Sequence, residues 1–551
     1  MFARTRAPLA CGALGSYDLK LVLRIADLLG CSRTPVHADE SSILLLDRPG
    51  IEWGDRRQRG FGWIEGEIWR SGPPVAGWKD AARRGLNGLV LEGRKRFLHT
   101  SVNGIAPVYW LEEDGATYFA SRIDPLVRSA RGPLSIDWQA WAATIALRYP
   151  VGERTPFEEV RRLPSMVAMR RRRFGGTQIR SETSPWEEAE PRVGVALACE
   201  RVVEALDVSL EPVEGEVICP LSGGRDSRIL FCALARDGRV ARAITTSDDE
   251  GDTHEEALAE PVAAASGVPH ERLLGAPADY MSDWEERARR VEYQFVDHAW
   301  LVPVMRRLEG VAAPVPDGFG LDIFFTSGRH FFTPETLDYR AGEKANREMF
   351  DLIRRYGRGN QALSPELHAP VESSAREQYL AAARRYEGHP SQAILSLYAT
   401  RSLRGVSTYA TCLLGETAPM LMPGAHNGVV VAALEAAAEE KLDGELYDGV
   451  LERLGTPGGM LPSTTDTPRK AVQLPRRWCS PPALEGHRRL LSEGPLAGHV
   501  STELLDWLDA PDGVELSGDL RLGMEAVSMF HAWWRRYRDI LREVDARDLL
   551  G

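Results

Sequence analysis

The chain of 551 residues has few of the features that would place it in a special class of protein. No apolar run approaches the roughly 18 residues of a membrane-spanning helix, so none is expected. The seven cysteines are scattered and never spaced as CxxC, which argues against a disulfide framework or a zinc site. This cysteine usage favours a cytoplasmic protein with reduced thiols. Only six lysines accompany 61 arginines, so each lysine stands out as a candidate functional group.

The rest of the composition is that of a globular protein. Hydrophobic residues make up 43% and charged residues 26%, which excludes a disordered, collagen-like or coiled-coil chain. The 67 basic residues are outnumbered by 79 acidic ones, and the net charge of −12 argues against nucleic acid as a partner. At about 100–200 residues per domain, the length predicts roughly two to four domains.

Short apolar runs broken by Gly, Asp and Pro predict a β-rich region between about residues 35 and 180. Ser42–Leu46 and Thr117–Ser121 are two such runs. The basic run Arg170–Arg173 falls in this region, and we expect it at a solvated strand edge. The polar segment Ser184–Arg192 contains two prolines and predicts a linker.

After this linker, strand and helix patterns alternate. Glu216–Leu221 predicts a short buried strand, Arg228–Ala235 a helix, Ala241–Thr246 a second strand and Glu255–Ser266 a second helix. Strands that alternate with helices indicate parallel βαβ units. From about Ala341 the pattern is mostly helical. We therefore predict an α+β fold class for the N-terminal part, followed by an α/β part with a parallel sheet and many helices.

The segment Leu221-Ser222-Gly223-Gly224-Arg225-Asp226-Ser227 joins the first of these strands to its helix. The two glycines permit a tight turn and leave room for a phosphate, and the N–H groups at a helix start favour an anion. Asp226 would repel a phosphate unless a divalent cation such as Mg²⁺ lies between them. The chain has no GxxxxGK[ST] sequence, which argues against a Walker-type ATPase.

The pattern SGGxDS resembles the PP-loop of the ATP pyrophosphatase family, and most of the chain resembles the asparagine synthetase group within that family. The loop from Asp317 to Asp322 (DGFGLD) is similar to the group's SGEGSDE loop. The resemblance implies that Asp226 and Asp322 bind Mg²⁺ on the pyrophosphate of ATP. It also implies that ATP is bound by Leu221, Ser222, Gly223, Gly224, Asp226, Ser227, Thr246 and Gly318.

Two further residues are expected to be catalytic by resemblance. Pro468-Arg469-Lys470 is similar to the group's catalytic lysine loop, and Lys470 would offset the charge that develops on the α-phosphate and acyl oxygens. Glu416 is the candidate for a downstream glutamate that holds or deprotonates the attacking amine. An alternative alignment would place Pro419 at that position. His330 is another candidate base, and Arg404 is a candidate ligand for a phosphate or a peptide carboxylate.

The N-terminal third resembles the group's glutaminase domain, in which an N-terminal cysteine releases ammonia from glutamine. Phe61–Arg70 is similar to one strand of that domain. The catalytic residues are missing, because residue 2 is Phe2 and Glu65 replaces an oxyanion-hole asparagine. Cys11 would serve only if cleavage exposed it at a new N-terminus. We expect a degenerate Ntn glutaminase-like β-sandwich, without glutaminase activity, over residues 1–186.

Residues 192–551 are expected to form an asparagine synthetase-like, PP-loop synthetase domain. The resemblance implies that ATP and Mg²⁺ are required and that ATP is cleaved between its α- and β-phosphates. A carboxylate would become an acyl-adenylate, pyrophosphate would leave, and an amine would attack to give an amide and AMP. Because the glutaminase part is degenerate, the amine is expected to come from the substrate itself.

Two groups within the family make such intramolecular amides. The β-lactam synthetases carry a tyrosine three residues before the metal-binding aspartate, where this chain has Phe319. Lasso peptide cyclases vary at that position, and they join an internal Asp or Glu side chain to the N-terminal amine of a precursor peptide. We therefore expect a lasso peptide cyclase that acts on a peptide substrate, with a leader-binding protein and a leader peptidase as further partners and without nucleic acid or membrane. The alternatives are a small-molecule amide or β-lactam-type synthetase that uses ammonia or another amine, and a non-catalytic scaffold.

Overall fold

The computed structural model describes residues 8–55, 57–64, 75–172, 176–211, 213–326, 331–357, 359–467, 474–509 and 516–542. Lys470, His330, Phe2 and Glu65 lie outside the described residues. The predicted mixture of sheet and helix is confirmed, with antiparallel sheets in the N-terminal part and a small parallel sheet further along the chain. No helix in the described ranges is long and apolar enough to cross a membrane.

The strands are short, and most of them lie before residue 182. They are β1 (Ala10–Leu14), β2 (His37–Asp39), β3 (Ser42–Leu46), β4 (Ile51–Gly54), β5 (Gln58–Ile64), β6 (Leu86–Glu92), β7 (Lys95–His99), β8 (Tyr109–Glu113), β9 (Ala116–Ala120), β10 (Arg161–Arg162), β11 (Val167–Arg171), β12 (Thr177–Ser181), β13 (Val217–Pro220), β14 (Val240–Thr246), β15 (His270–Leu273), β16 (Val315–Pro316) and β17 (Met420–Leu421).

The helices dominate the chain after residue 195. They are α1 (Leu19–Leu29), α2 (Trp78–Arg83), α3 (Ile123–Ser129), α4 (Trp138–Leu147), α5 (Pro185–Glu188), α6 (Val195–Leu210), α7 (Asp226–Arg236), α8 (His254–Ala265), α9 (Tyr280–Arg290), α10 (Leu301–Leu308), α11 (Leu321–Phe324), α12 (Pro334–Leu337), α13 (Glu343–Gly357), α14 (Pro365–Ala383), α15 (Gln392–Leu397), α16 (Asn427–Leu434), α17 (Glu445–Leu454), α18 (Pro481–Leu491), α19 (Thr502–Asp509) and α20 (Gly518–Tyr537). Two π-helical stretches, Tyr398–Val406 and Tyr409–Leu413, follow α15.

Two six-stranded antiparallel sheets form the N-terminal part, in the orders β10-β8-β9-β1-β3-β2 and β12-β11-β7-β6-β5-β4. Strand β1 illustrates why its sequence is apolar throughout. Ala10 and Leu14 belong to an apolar cluster shared by both sheets, whereas Cys11 and Ala13 belong to the cluster on the opposite face. Successive side chains of a strand point to opposite faces, so a strand that is buried on both sides needs apolar residues at every position.

The parallel sheet has the order β13-β14-β15, with α7 between its first two strands and α8 between its last two. This arrangement confirms the βαβ pattern expected after the linker. Strand β16 leads into the loop Asp317–Asp322, which we call the second loop, and pairs in parallel with β17, where Val315 lies opposite Met420. The loops that follow β13, β14 and β16 are therefore carried by parallel strands, whose carboxyl ends are where ligands bind in open α/β sheets.

The segment Ser184–Arg192 differs from the exposed linker that its composition predicts. Ser184 caps the short helix α5 by accepting a hydrogen bond from the Glu187 N–H at 3.2 Å. Trp186 is only 3% exposed, and its indole N–H donates to Asn427 Oδ1 at 2.9 Å. The two prolines and the charged residues predicted a polar linker, whereas the buried Trp186 attaches this segment to α16.

The N-terminal sheets are bonded to the first π-helical stretch. Arg162 Nη1 donates to the Leu403 carbonyl at 2.7 Å, and Arg404 Nη2 donates to the Arg154 carbonyl at 2.6 Å. The Tyr398 hydroxyl donates to the Asn103 carbonyl at 3.0 Å. Arg404 is thus a buried structural residue in this structure, because its guanidinium is directed at the N-terminal part.

Glu292 forms a buried cap across the same junction. Its carboxylate accepts the N–H groups of Ile123 and Asp124 at 2.7 and 2.8 Å, at the start of α3. Burial raises the pKa of Glu292 to about 7, although Arg122 and the two N–H donors act in the opposite direction. The residue has a positive φ of 51°, a conformation that non-glycine residues rarely adopt.

The raised pKa of Glu292 predicts a specific dependence of stability on pH. The folded chain binds a proton that the unfolded chain releases near pH 4.5, so the free energy of unfolding falls as the pH rises towards about 7. Between about pH 5.5 and pH 7 the wild type should lose about 2 kcal/mol relative to Glu292→Gln, because each pKa unit corresponds to about 1.4 kcal/mol. Urea unfolding of both proteins at the two pH values measures this difference; a gap that does not change with pH contradicts it.

Candidate active site

A cavity of about 570 Å³ opens where the first loop (Leu221–Ser227), the second loop (Asp317–Asp322) and the π-helical stretches meet. Seven of the residues expected from the sequence line it: Leu221, Ser222, Asp226, Ser227, Thr246, Gly318 and Asp322. Gly223 and Gly224 lie in the same turn but are not among the lining residues. The residues singled out from two distant segments are thus brought together at one cavity.

The first loop is held in shape by its own serines. The Ser222 N–H donates to Ser227 Oγ at 2.9 Å, and the two hydroxyls are 3.0 Å apart. The Gly224 N–H donates to Ser222 Oγ at 3.1 Å, and α7 begins at Asp226. The Gly223 N–H donates to Glu255 Oε2 at 2.7 Å, so a phosphate would have to displace this carboxylate to reach that amide.

The second loop packs directly on the first loop through Gly318. A Cβ atom at this glycine would lie 2.8 Å from the Cβ of Asp226 and 3.2 Å from the backbone N of Ser227. Contacts this close leave no room for a side chain between the two loops. Glycine at this position therefore permits the approach that brings Asp322 into the same cavity as Asp226.

Three carboxyl groups in this cavity have raised pKa values, and burial is the largest cause for each of them. Burial raises the pKa of Asp226 to about 8, with further contributions from the charges of Asp322 and Asp317. Burial, with help from Asp322, raises the pKa of Asp317 to about 6. Burial also raises the pKa of Asp322, against the effect of the Arg401 cation. The Tyr447 hydroxyl donates a hydrogen bond to Asp226 Oδ1 and holds it in place.

These carboxylates fit a magnesium ion that is shared with a phosphate. Within the described ranges, no three His, Cys, Asp or Glu side chains come together as a complete metal site. Mg²⁺ prefers oxygen ligands and commonly takes one or two carboxylates, with phosphate oxygens and water in the remaining positions. Asp226 and Asp322 have the right chemistry for this role, and a cation between them would offset the burial that raises both pKa values and the repulsion that adds to the rise at Asp226.

The stretches on either side of residues 468–473 are anchored beside the first loop. On one side, the Thr464 N–H donates to the Gly223 carbonyl at 3.0 Å, and Arg225 Nη2 lies 2.9 Å from Asp466 Oδ1. On the other side, Arg477 Nη1 lies 2.8 Å from Asp249 Oδ1 in the cavity wall. The expected catalytic Lys470 falls between these two stretches in the sequence, and it lies outside the described residues.

Glu416 does not line the cavity. Its carboxylate lies 2.7 Å from Arg290 Nη1 and 3.5 Å from Arg122 Nε, at the junction with the N-terminal part. Both carboxylate oxygens are therefore engaged by arginines that do not line the cavity. The position of Glu416 therefore does not support the catalytic role that we expected for it.

Other residues line the cavity without having been singled out from the sequence. Arg401 and Tyr409 come from the π-helical stretches, a conformation that recurs at functional sites. His298 packs edge-on against Tyr409 with ring centroids 5.0 Å apart, and its φ is +72°. Its Nδ1 is buried without a hydrogen-bond partner, and burial lowers its pKa to about 4, so the ring is neutral. Nothing local in the sequence distinguishes these residues.

The N-terminal part contributes to the cavity wall through one ion pair. Arg148, which follows α4, pairs with Asp297, a lining residue next to His298. This cation holds the pKa of the Asp297 carboxyl well below its usual range despite burial. Cys11, by contrast, is a buried residue of β1, and it pairs with Leu45 of β3 on one side and with Ala120 of β9 on the other. The pKa of its thiol is raised, first by a hydrogen bond with Cys31 and then by burial.

No protein-family model matches the chain, and no curated protein matches it.

The close approach at Gly318 predicts a large effect of one added methyl group. Gly318→Ala should lower the free energy of unfolding by about 1–3 kcal/mol, because the Cβ would overlap Asp226. Binding of ATP with Mg²⁺ should weaken at least tenfold, which corresponds to about 1.4 kcal/mol. Urea unfolding and calorimetric titration measure the two effects.

Gly132→Ala is the matched control, since a Cβ at Gly132 would have no atom within 4 Å. This variant should change the stability by less than about 0.5 kcal/mol. If both variants behave alike, the contact between the loops is not what limits the size of residue 318.

Proposed function

We propose that the protein is an ATP-dependent, AMP-forming amide ligase that closes a macrolactam in a lasso peptide precursor. In this reaction an internal Asp or Glu side chain of the peptide is adenylated, pyrophosphate leaves, and the N-terminal amine of the peptide attacks the acyl carbon. The observation that carries the proposal is the joint lining of one cavity by the first-loop residues Ser222, Asp226 and Ser227 and by Asp322 of the second loop.

The arrangement supports nucleotide chemistry in three ways. The N-terminus of α7 and the two serine hydroxyls face the cavity and favour an anion. Asp226 and Asp322 supply the carboxylates that a magnesium ion needs beside a polyphosphate. When bound, Mg²⁺ would neutralise charge on the phosphates. Thr246, at the end of β14, is proposed to contact the nucleoside, and Lys470 is the proposed partner of the α-phosphate.

The amine-transfer half of the reaction is assigned to the wall that carries His298 and Tyr409. Glu416 is ion-paired away from the cavity, so another polar group must contact the acyl oxygen or the amine. His298 is the better candidate because its buried Nδ1 has no acceptor to which a proton on that nitrogen could be donated, which favours the proton on Nε2. A neutral imidazole can then donate from Nε2 to the oxygen on which charge develops.

The N-terminal sheets have a proposed role that needs no ammonia. Arg148 after α4 and Arg162 of β10 contact Asp297 and the first π-helical stretch, both of which contribute to the cavity. A degenerate glutaminase-like domain would then be retained because it shapes the synthetase cavity. This is consistent with the buried thiol of Cys11, which is not available as a nucleophile in this fold.

ATP–pyrophosphate exchange with Mg²⁺ tests the adenylation step. Three substrates are compared: free aspartate, a short β-amino acid, and a linear peptide that starts with glycine and carries an internal Asp or Glu. We expect exchange with the peptide alone, accompanied by loss of one water mass from the peptide. Asp226→Asn should reduce exchange by more than about a hundredfold, because the amide cannot replace a charged metal ligand.

Gly132→Ala serves again as the control, and it should exchange at the wild-type rate. Exchange with a small carboxylate alone would replace the lasso peptide proposal by a small-molecule amide synthetase. Failure of every carboxylate to promote exchange, or full exchange by Asp226→Asn, would contradict the proposed chemistry altogether.

The two half-reactions separate the role of His298 from that of the first loop. His298→Phe should lower the ratio of cyclisation rate to exchange rate by about a hundredfold, the usual loss for one oxyanion donor. His298→Gln, whose amide N–H can occupy the place of Nε2, should recover part of that ratio. Single-turnover kinetics of peptide cyclisation provides the measurement. An unchanged ratio in His298→Phe would remove His298 from the mechanism while leaving the adenylation assignment intact.

A further inference from the structure

A second cavity, of about 530 Å³, lies at one end of the N-terminal sandwich. Its walls come from the turns at which strands of both sheets end, and they include Gly15 after β1, Ser41 before β3 and Gly115 between β8 and β9. It shares no lining residue with the candidate active site. Its volume is within the range of small-ligand pockets, which is about 300–1,000 Å³.

The walls of this second cavity are basic. Six of the eleven lining residues carry a positive charge: Arg94, Lys95, Arg96, Arg170, Arg171 and Arg172. None of the described lining residues is acidic, although the whole chain has a net charge of −12. The basic run Arg170–Arg172 therefore lies beside a second basic run, Arg94–Arg96, because β7 and β11 are neighbours in the sheet.

Three of these cations have a carboxylate partner outside the lining. The distances are 2.7 Å for Arg96–Asp39, 2.8 Å for Arg171–Glu112 and 3.7 Å for Lys95–Glu92. Such pairs neutralise half of the positive charge around the cavity.

The other three cations have no counter-charge. Arg170 and Arg172 both donate to the neutral Oε1 of Gln178, at distances between 2.7 and 3.0 Å. Arg94 is exposed and makes no hydrogen bond or ion pair with any described residue. Placing like charges side by side is unfavourable, and a concave wall concentrates their field towards the cavity.

We propose that this cavity is a second ligand site, which binds a compact anion bearing two or more neighbouring carboxylate or phosphate groups. Arg94, Arg170 and Arg172 would supply the binding charge, since a guanidinium forms paired hydrogen bonds with either group. The hydroxyls of Ser16 and Ser41 lie in the same wall and can add neutral hydrogen bonds. The excess of acidic residues over the rest of the chain disfavours a long polyanion and so restricts the site to a short one.

Fluorescence anisotropy of the full-length protein tests this site with two probes. A fluorescein-labelled tetraglutamate peptide reports binding directly, and inorganic pyrophosphate competes with it in the absence of Mg²⁺. The variant Arg94→Gln/Arg172→Gln should weaken binding at least tenfold, the loss expected for two charge-assisted contacts. Both residues are exposed, so the fold should tolerate the change.

The variant Arg340→Gln/Arg384→Gln is the matched control, because it removes the same charge from exposed arginines outside the cavity. It should bind the probe like the wild type, and both double variants should keep the wild-type rate of ATP–pyrophosphate exchange. Displacement by pyrophosphate identifies phosphate as the ligand group, whereas binding that only the peptide saturates identifies carboxylates. Absence of saturable binding, an equal loss in both double variants, or binding of an RNA oligonucleotide alone would overturn the proposal. Because binding is measured directly, this result stands apart from whether the protein forms amides.

Discussion

The approach of Gly318 to Asp226 is the contact on which the candidate active site depends. It leaves no space for a side chain, and it places the second loop, with Asp317 and Asp322, beside the start of α7. The result is a buried group of carboxylates whose like charges repel one another. Burying like charges is costly unless a cation and its ligands complete the site. Under the proposed function, a metal-bound polyphosphate would complete this site.

The N-terminal sheets take part in the same cavity from its other side. Hydrogen bonds from Arg162 to the Leu403 carbonyl and from Arg404 to the Arg154 carbonyl join the N-terminal part to the first π-helical stretch. The Arg148–Asp297 ion pair joins the same part to the cavity wall. A π-helix is less favourable than an α-helix, so it persists where surrounding contacts hold it. Removal of the N-terminal part would leave these contacts unmade. Under the proposed function, this explains why a domain without glutaminase residues would be kept.

The candidate active site and the cavity at the end of the N-terminal sheets differ in electrostatic character. Buried aspartates line the first, which is proposed to bind a cation, whereas arginines line the second, which is proposed to bind an anion. Each excess of charge remains local, because solvent and ions screen exposed charges over about 8–10 Å. A chain with a net charge of −12 can therefore present a basic surface to one ligand and an acidic cavity to another.

Local sequence was sufficient for those parts of the site that lie within a few residues of one another. Ser222, Asp226 and Ser227 fall on one strand-turn-helix unit, so the backbone geometry of that unit alone brings them to one place. Likewise, the alternation of strands and helices predicted the parallel sheet. The polar composition of Ser184–Arg192 did not predict that Trp186 is buried, because its burial depends on α16, which lies more than 200 residues away in the sequence.

Tertiary structure decided the groups that come together from distant segments. The ion pairs of Glu416 with Arg122 and Arg290 depend on how the N-terminal sheets pack against the helices, and no spacing along the chain encodes them. The same holds for His298 against Tyr409, which are separated by more than 100 residues. The basic cavity forms only because β7 pairs with β11, which brings two separate runs of cationic residues together. By itself, the sequence determined the elements and the first loop, because these depend on neighbours along the chain. The composition of each cavity was left to packing, because side-chain charges and shapes act through space.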